Sequence, residues 1–212
     1  MKLYTMPGTC SLGPNIAVAW EDAPIDVVTM EYGHHKSPEY LEVNPRGQVP
    51  ALQFDDGSVL TEANAILEYI GAAHGGDNHA KFTRDTELGR GEAECLSYLS
   101  SELHATFKGH FAPQAFADSD EGQEQVKKKV YERLDGQFQG LNDQIAETDG
   151  PYLRAEKSYA DAMLYAMARW IDKTPLDIND YPNIDAHQKE MEADDGVQLA
   201  LQRQKMKPLQ AS

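Results

Sequence analysis

Cysteine is scarce in this chain: Cys10 and Cys95 are the only two in 212 residues. Two cysteines make no disulfide framework, and they fit a reducing, cytoplasmic compartment. Cations are also few, 19 Lys and Arg against 35 Asp and Glu, for a formal charge of −16. Such an acidic surface makes nucleic acid and anionic membranes poor partners. No apolar run approaches the roughly 20 residues of a membrane span, and no charged stretch followed by an apolar one opens the chain, so neither a membrane anchor nor a signal segment is expected. His34, His35 and His110 have no Cys or carboxylate at ligand spacing, so no metal site is expected.

The shortage of positive charge is sharpest in the first part. Residues 1–75 hold three cations (Lys2, Lys36 and Arg46) against ten carboxylates. If an anionic ligand binds there, Lys36 and Arg46 are nearly the only side chains able to attract it. That stretch reads as β-α-β followed by β-β-α, a small mixed sheet with helices on it. A strand at Lys2–Thr5 leads into a helix from about Pro14 to Glu21, and Ile25–Met30 is a second strand. Pro50–Phe54 and Ser58–Leu60 flank the hairpin turn Asp55-Asp56-Gly57, and Glu62–Ala73 has helical spacing. His74–Thr83 reads as a linker. Beyond it strand signals almost vanish, and Thr86–Phe107, Glu121–Glu147, Ala160–Lys173 and Gln188–Lys205 carry helical patterns, for about five helices in an all-helical second part. In it, Cys95, Met163, Met167 and Trp170 read as core, and Lys127-Lys128-Lys129 as a solvated face.

Three segments carry chemistry. Cys10 stands where a strand turns into a helix, after Pro7-Gly8. The helix dipole and unpaired N–H groups there favour thiolate, so this thiol is expected to be more reactive than a free one. The second position of a Cys-x-x-Cys pair is Gly13, so redox chemistry at Cys10 would be monothiol and would need an external thiol. In Asn44-Pro45-Arg46-Gly47-Gln48-Val49-Pro50, a cis Val49–Pro50 bond would turn the Val49 backbone outward for an extended peptide ligand; a trans edge proline is the plain alternative. In Leu60-Thr61-Glu62-Ala63, a carboxylate beside a helix N-terminus suits the ammonium and carboxylate of an amino-acid terminus, or simply caps the helix.

With Leu99-Ser100-Ser101-Glu102-Leu103-His104 and Ser158-Tyr159-Ala160-Asp161-Ala162, these segments resemble the glutathione transferases, in particular the bacterial beta class, over the whole chain. The resemblance implies an α/β plus all-α fold, with a thioredoxin-like N-terminal domain (1–76) and an all-helical C-terminal domain (83–212) forming the electrophile site. It further implies a homodimer and glutathione as co-substrate in the cleft between the domains. Cys10 and His104 would be catalytic, Cys10 facing the glutathione sulfur and His104 overhanging it. The Val49 backbone beside a cis Pro50 would pair with the cysteinyl part. Glu62 and the Ala63 N–H would hold the γ-glutamyl end, Lys36 the glycyl carboxylate, and Ser11 and Gln48 complete the binding set. Ser158 and Asp161 form a capping box that serves folding.

Three departures stand out. Thr5 occupies the place of the tyrosine used by many transferases, with Tyr4 on the opposite strand face; Ala63 replaces a common serine; Ala105 follows the histidine where lysine is frequent, and Lys108 lies one turn on. The expected activity is conjugation of glutathione to small hydrophobic electrophiles. Two alternatives stand beside it: a monothiol glutathione-dependent disulfide reductase or peroxidase, and a ligand-binding protein without turnover.

Overall fold

The computed structural model describes residues 1–76, 83 and 85–209. The first part is a four-stranded sheet ordered β2-β1-β3-β4. Strand β1 (Lys2–Thr5) runs parallel to β2 (Asp26–Thr29) and antiparallel to β3 (Ala51–Gln53), which pairs with β4 (Val59–Thr61) across the expected hairpin. Alternation along β1 decides which residue sees which layer. Leu3 is fully buried in the main core, among Ile66 and Leu67 of α3 (Ala63–His74). Tyr4 points the other way, joining Met30, Ala51 and Tyr40 of α2 (Pro38–Val43), with its ring edge-on to Tyr40 at 5.4 Å. Thr5 is fully buried, its hydroxyl 3.3 Å from that of Thr29. No tyrosine therefore reaches the Cys10 side of β1, as the sequence indicates.

Helix α1 (Leu12–Trp20) starts two residues earlier than expected, because Pro14 fits within a first turn whose N–H groups lack helical partners anyway. It is buried between the sheet and α7 (Tyr159–Ala168), every residue of which is buried. Gly13 is the point of closest approach: a Cβ there would lie 2.6 Å from the Met163 sulfur. The position that would carry a second cysteine is glycine for a packing reason.

The linker reading falls largely on residues outside the described ones. After it, α4 (Glu87–Tyr98), a π-helical turn (Leu99–His104) and α5 (Ala105–Phe111) form one continuous rod. The long α6 (Asp120–Ala146) packs back on it. The single helix expected over 188–205 is instead two, α8 (Pro182–Ala193) and α9 (Asp195–Arg203). Asp194 makes the break: its backbone is extended, and its carboxylate caps α9 at the Val197 N–H (3.0 Å) while accepting from the Trp20 indole (2.7 Å). Periodicity continues through such a joint, so it does not reveal it. The described residues thus hold six α-helices in this part. The capping box is present: Asp161, fully buried, accepts from the Ser158 N–H (2.8 Å) and Oγ (3.1 Å) and from the Leu153 N–H (2.9 Å).

Candidate active site

The loop between β1 and α1 is tied to itself before it offers anything to a ligand. Thr9 Oγ1 donates to the Met6 carbonyl (2.8 Å) and lies 2.7 Å from Ser11 Oγ, which accepts from the Met6 N–H (3.0 Å). Ser11 is fully buried and its N–H meets Thr9 Oγ1 at 3.3 Å, so its polar groups are spent on the turn. The structure thus gives Ser11 a supporting place rather than one on the cleft wall.

Cys10 is 8% exposed, and its thiol lies 4.0 Å from the Val49 carbonyl oxygen. Its acidity reverses the expectation. Burial pushes the thiol up to about 12, with the Glu62 carboxylate adding to the rise; the Cys10 backbone N–H opposes it and loses. A helix end contributes fractions of a kcal/mol at a surface, whereas desolvating a thiolate is worth several pKa units. Burial at this position therefore favours the protonated form of Cys10.

Opposite it, the Val49–Pro50 peptide is cis, as the resemblance implied. The loop before it is held by Tyr40 Oη and Asn44 Nδ2, which donate to the Gln48 carbonyl at 2.6 and 2.8 Å. Gln48 itself is exposed, and Val49 is half-buried. Lys36 donates to the Gly47 carbonyl at 3.0 Å while remaining exposed. Gly47 has φ +56°, and a Cβ there would press to 2.8 Å from the His35 carbonyl, so the tight bend needs glycine.

Glu62 precedes α3 with φ +72°, a costly conformation for a non-glycine residue and one that gathers at functional sites. Its carboxylate is exposed, 3.4 Å from Arg46, a neighbour that the expected site did not include. The nearly buried Ala63 opens the helix. The Glu62 charge bears on both Cys10 and His104, which ties the three into one site.

His104 ends the π turn. That turn widens the helix where Ser101 Oγ donates back to the Ser97 carbonyl (2.8 Å) and Thr106 Oγ1 to that of Glu102 (2.8 Å), hydroxyls that serve carbonyls in a distorted rod. The His104 ring tilts over Trp170 with centroids 5.4 Å apart, and the Trp170 indole donates to the Gly8 carbonyl at 3.0 Å. Trp170 is core, as expected, yet it also carries His104 to the loop that holds Cys10. Nothing in its spacing signalled that second task. Burial holds the His104 pKa below the ordinary imidazole value, with Glu62 opposing, so the ring is neutral at pH 7.

Phe111, 48% exposed, stands against Trp170 at 5.3 Å and offers an apolar wall there, with the fully buried Phe107 behind it at 5.0 Å from the indole. A larger groove of about 760 Å³ lies between α5 and α6, lined by Ala105, Thr106 and Val130, and includes none of Cys10, Glu62 or His104. Cys95 is 9% exposed and donates no chemistry to the cleft. No three His, Cys, Asp or Glu side chains converge as metal ligands among the described residues.

Residues 1–72 match the family model described as glutathione S-transferase, N-terminal domain, and residues 106–203 match glutathione S-transferase, C-terminal domain. The chain is 34% identical to glutathione S-transferase GST-4.5 of Xanthomonas campestris pv. campestris, over 95% of this chain and 98% of that one. Its fold matches the bacterial beta class glutathione S-transferase of Sphingomonas chungbukensis with TM-score 0.82 and 33% identity, covering 98% of this chain and all of the other. A sphingomonad glutathione S-transferase complexed with glutathione matches equally, at TM-score 0.82 and 33% identity, with the same coverage.

Proposed function

We propose that this chain, which belongs to the glutathione S-transferase family, joins the glutathione thiolate to small hydrophobic electrophiles, with Cys10 and His104 as hydrogen-bond donors to that thiolate. The observation that carries this reading is the place of Cys10, nearly closed from water and 4.0 Å from the Val49 carbonyl beside cis-Pro50, where burial favours a thiol that donates to a neighbouring sulfur anion over one that attacks. Extended glutathione lies along the Val49 backbone. Glu62 takes the γ-glutamyl ammonium, and the N–H groups at Ala63 take its carboxylate. Lys36 meets the glycyl carboxylate. The loop of Gln48 and the turn of Ser11 support these contacts. Free glutathione is mostly thiol at pH 7, so donors that hold the anion raise the reactive fraction, and the apolar wall places the electrophile for attack. In the step itself the thiol proton leaves to solvent, a C–S bond forms and the leaving group departs with its electron pair.

Cys10→Ala, Cys10→Ser and His104→Ala test this with 1-chloro-2,4-dinitrobenzene and intact-mass analysis after exposure to oxidised glutathione. Serine keeps a donor and retains part of the rate, whereas alanine at either position loses about tenfold or more. A Cys10 adduct that forms rapidly at pH 7, together with complete loss in Cys10→Ser, would overturn it in favour of disulfide reduction. Tight glutathione binding without turnover would leave a carrier. The same reading includes division into residues 1–76 and 83–212, a cytoplasmic setting and a homodimer, the last measured by light scattering.

A further inference from the structure

Beside the loop that carries Cys10 stands a cation for which the conjugation reading has no use. Lys173 follows Trp170 by three residues, and a Cβ built on Gly8 would lie 3.4 Å from its amine, so Lys173 Nζ rests against the loop that carries Cys10. It faces α5 as well. The charges that bear on His110 among the described residues are Lys173 and Lys127, both positive, and with burial they hold that ring below its ordinary pKa. His110 in turn touches Phe111 (4.8 Å), whose ring is 48% exposed beside Trp170. Phe111 and the amine therefore both stand beside elements that touch Gly8, the one through Trp170 and the other directly.

Two other cations nearby, Arg169 and Lys127, are committed. Arg169 donates to Tyr165 Oη (2.7 Å), Glu192 (3.2 Å) and the Lys207 carbonyl (2.8 Å); Lys127 pairs with Glu124 at 2.8 Å. No carboxylate among the described residues pairs with Lys173. The adjacent acid Asp172 shares with Lys173 a recess of about 150 Å³ lined by Gly8 and Thr9. The general negative field is screened beyond about 8 Å at physiological salt, so the amine sets the local preference.

We infer that the electrophile favoured in this cleft is an aromatic or otherwise apolar molecule bearing a carboxylate or similar anion, which Lys173 seats at the cleft mouth while its reactive carbon lies at the thiol. This rests on the conjugation reading and narrows its substrate class.

The test compares 4-chloro-3,5-dinitrobenzoate with 4-chloro-3,5-dinitrobenzamide, each kcat/KM divided by the uncatalysed rate with glutathione. In both, a C–S bond forms, chloride leaves and the thiol proton goes to solvent. The wild type is expected to favour the carboxylate by about fivefold, as an exposed charge pair allows. The preference should vanish in Lys173→Gln, persist in Lys173→Arg and in the remote Lys189→Gln, and shrink in about 0.5 M salt. An equal preference in wild type and Lys173→Gln overturns the inference. So does a rise in the glutathione KM of Lys173→Gln that is the same with both electrophiles, since the amine would then serve the glycyl carboxylate. If neither electrophile is turned over, the conjugation reading has failed, and quenching of tryptophan fluorescence by the two preformed conjugates still decides. Tighter binding of the carboxylate conjugate by wild type alone supports a role for Lys173, and equal binding overturns it.

Discussion

At Cys10 two local effects compete, and their sizes settle the outcome. The turn into α1 favours a thiolate, but the thiol is almost closed from water and faces a carbonyl oxygen, and its pKa rises from 9.0 to about 12. Three units lower the thiolate fraction near pH 8 about a thousandfold. Iodoacetamide should accordingly label native Cys10 at least a hundredfold more slowly than the urea-unfolded chain, as read by intact mass over time; labelling at the rate of a free thiol would refute the buried, protonated assignment. His104 supplies a second case. Burial lowers its pKa and Glu62 opposes the fall, so Glu62→Gln should move it further down. Protonation of the ring is then completed at lower pH in the variant than in wild type, and imidazole proton shifts followed by NMR from about pH 8 to 4 report it. A shift upward would mean that the two groups do not share one cleft. The residues of this site were largely legible in the sequence, because Cys10, Val49-Pro50 and Glu62 lie in short contiguous segments. Trp170 was legible only as core, since its bond to Gly8 spans 162 residues and leaves no local pattern.

At the level of elements, spacing revealed the strands, the hairpin and most helices, because periodicity and turn residues are local signals. It hid the joint at Asp194, where a capping carboxylate interrupts two helices of similar pattern. It also hid the π turn at Leu99–His104, which keeps the helical spacing of the rod around it. The contact of α1 with α7 shows what such packing demands. Gly13→Ala gains helix propensity of up to about 1 kcal/mol but forces Met163 from a fully packed place. A net loss of about 1–2 kcal/mol is expected from urea unfolding, and combination with Met163→Ala should cost less than the sum of the two changes. Additive costs would separate the glycine from that contact.

Across the whole molecule the excess of acid sets the response to salt. With 35 carboxylates against 19 Lys and Arg, self-repulsion opposes the compact state, and added ions relieve it. Between about 0.01 and 0.5 M sodium chloride the urea midpoint should rise, as screening shortens from roughly 30 Å to a few ångströms. A midpoint that falls would show that the ion pairs, chiefly exposed ones such as Arg46–Glu62, outweigh the repulsion. The two parts of the fold also hold one another through polar bonds that cross between them: Asn15 Nδ2 to the Ala200 carbonyl (3.0 Å), Thr29 Oγ1 to that of Arg203 (3.0 Å), and Trp20 to Asp194.

Those bonds have a consequence for how the chain is born. Cys10 leaves the ribosome well before α7 and α9, yet the helix behind it packs on both, and its loop is fastened by Trp170. Until about residue 200 has emerged, Leu12 and Ile16 have no apolar cover from Val197, Ala200 and Leu201. A chain stopped before α9 therefore carries the thiol on an uncovered helix and shows that greasy face to chaperones and proteases.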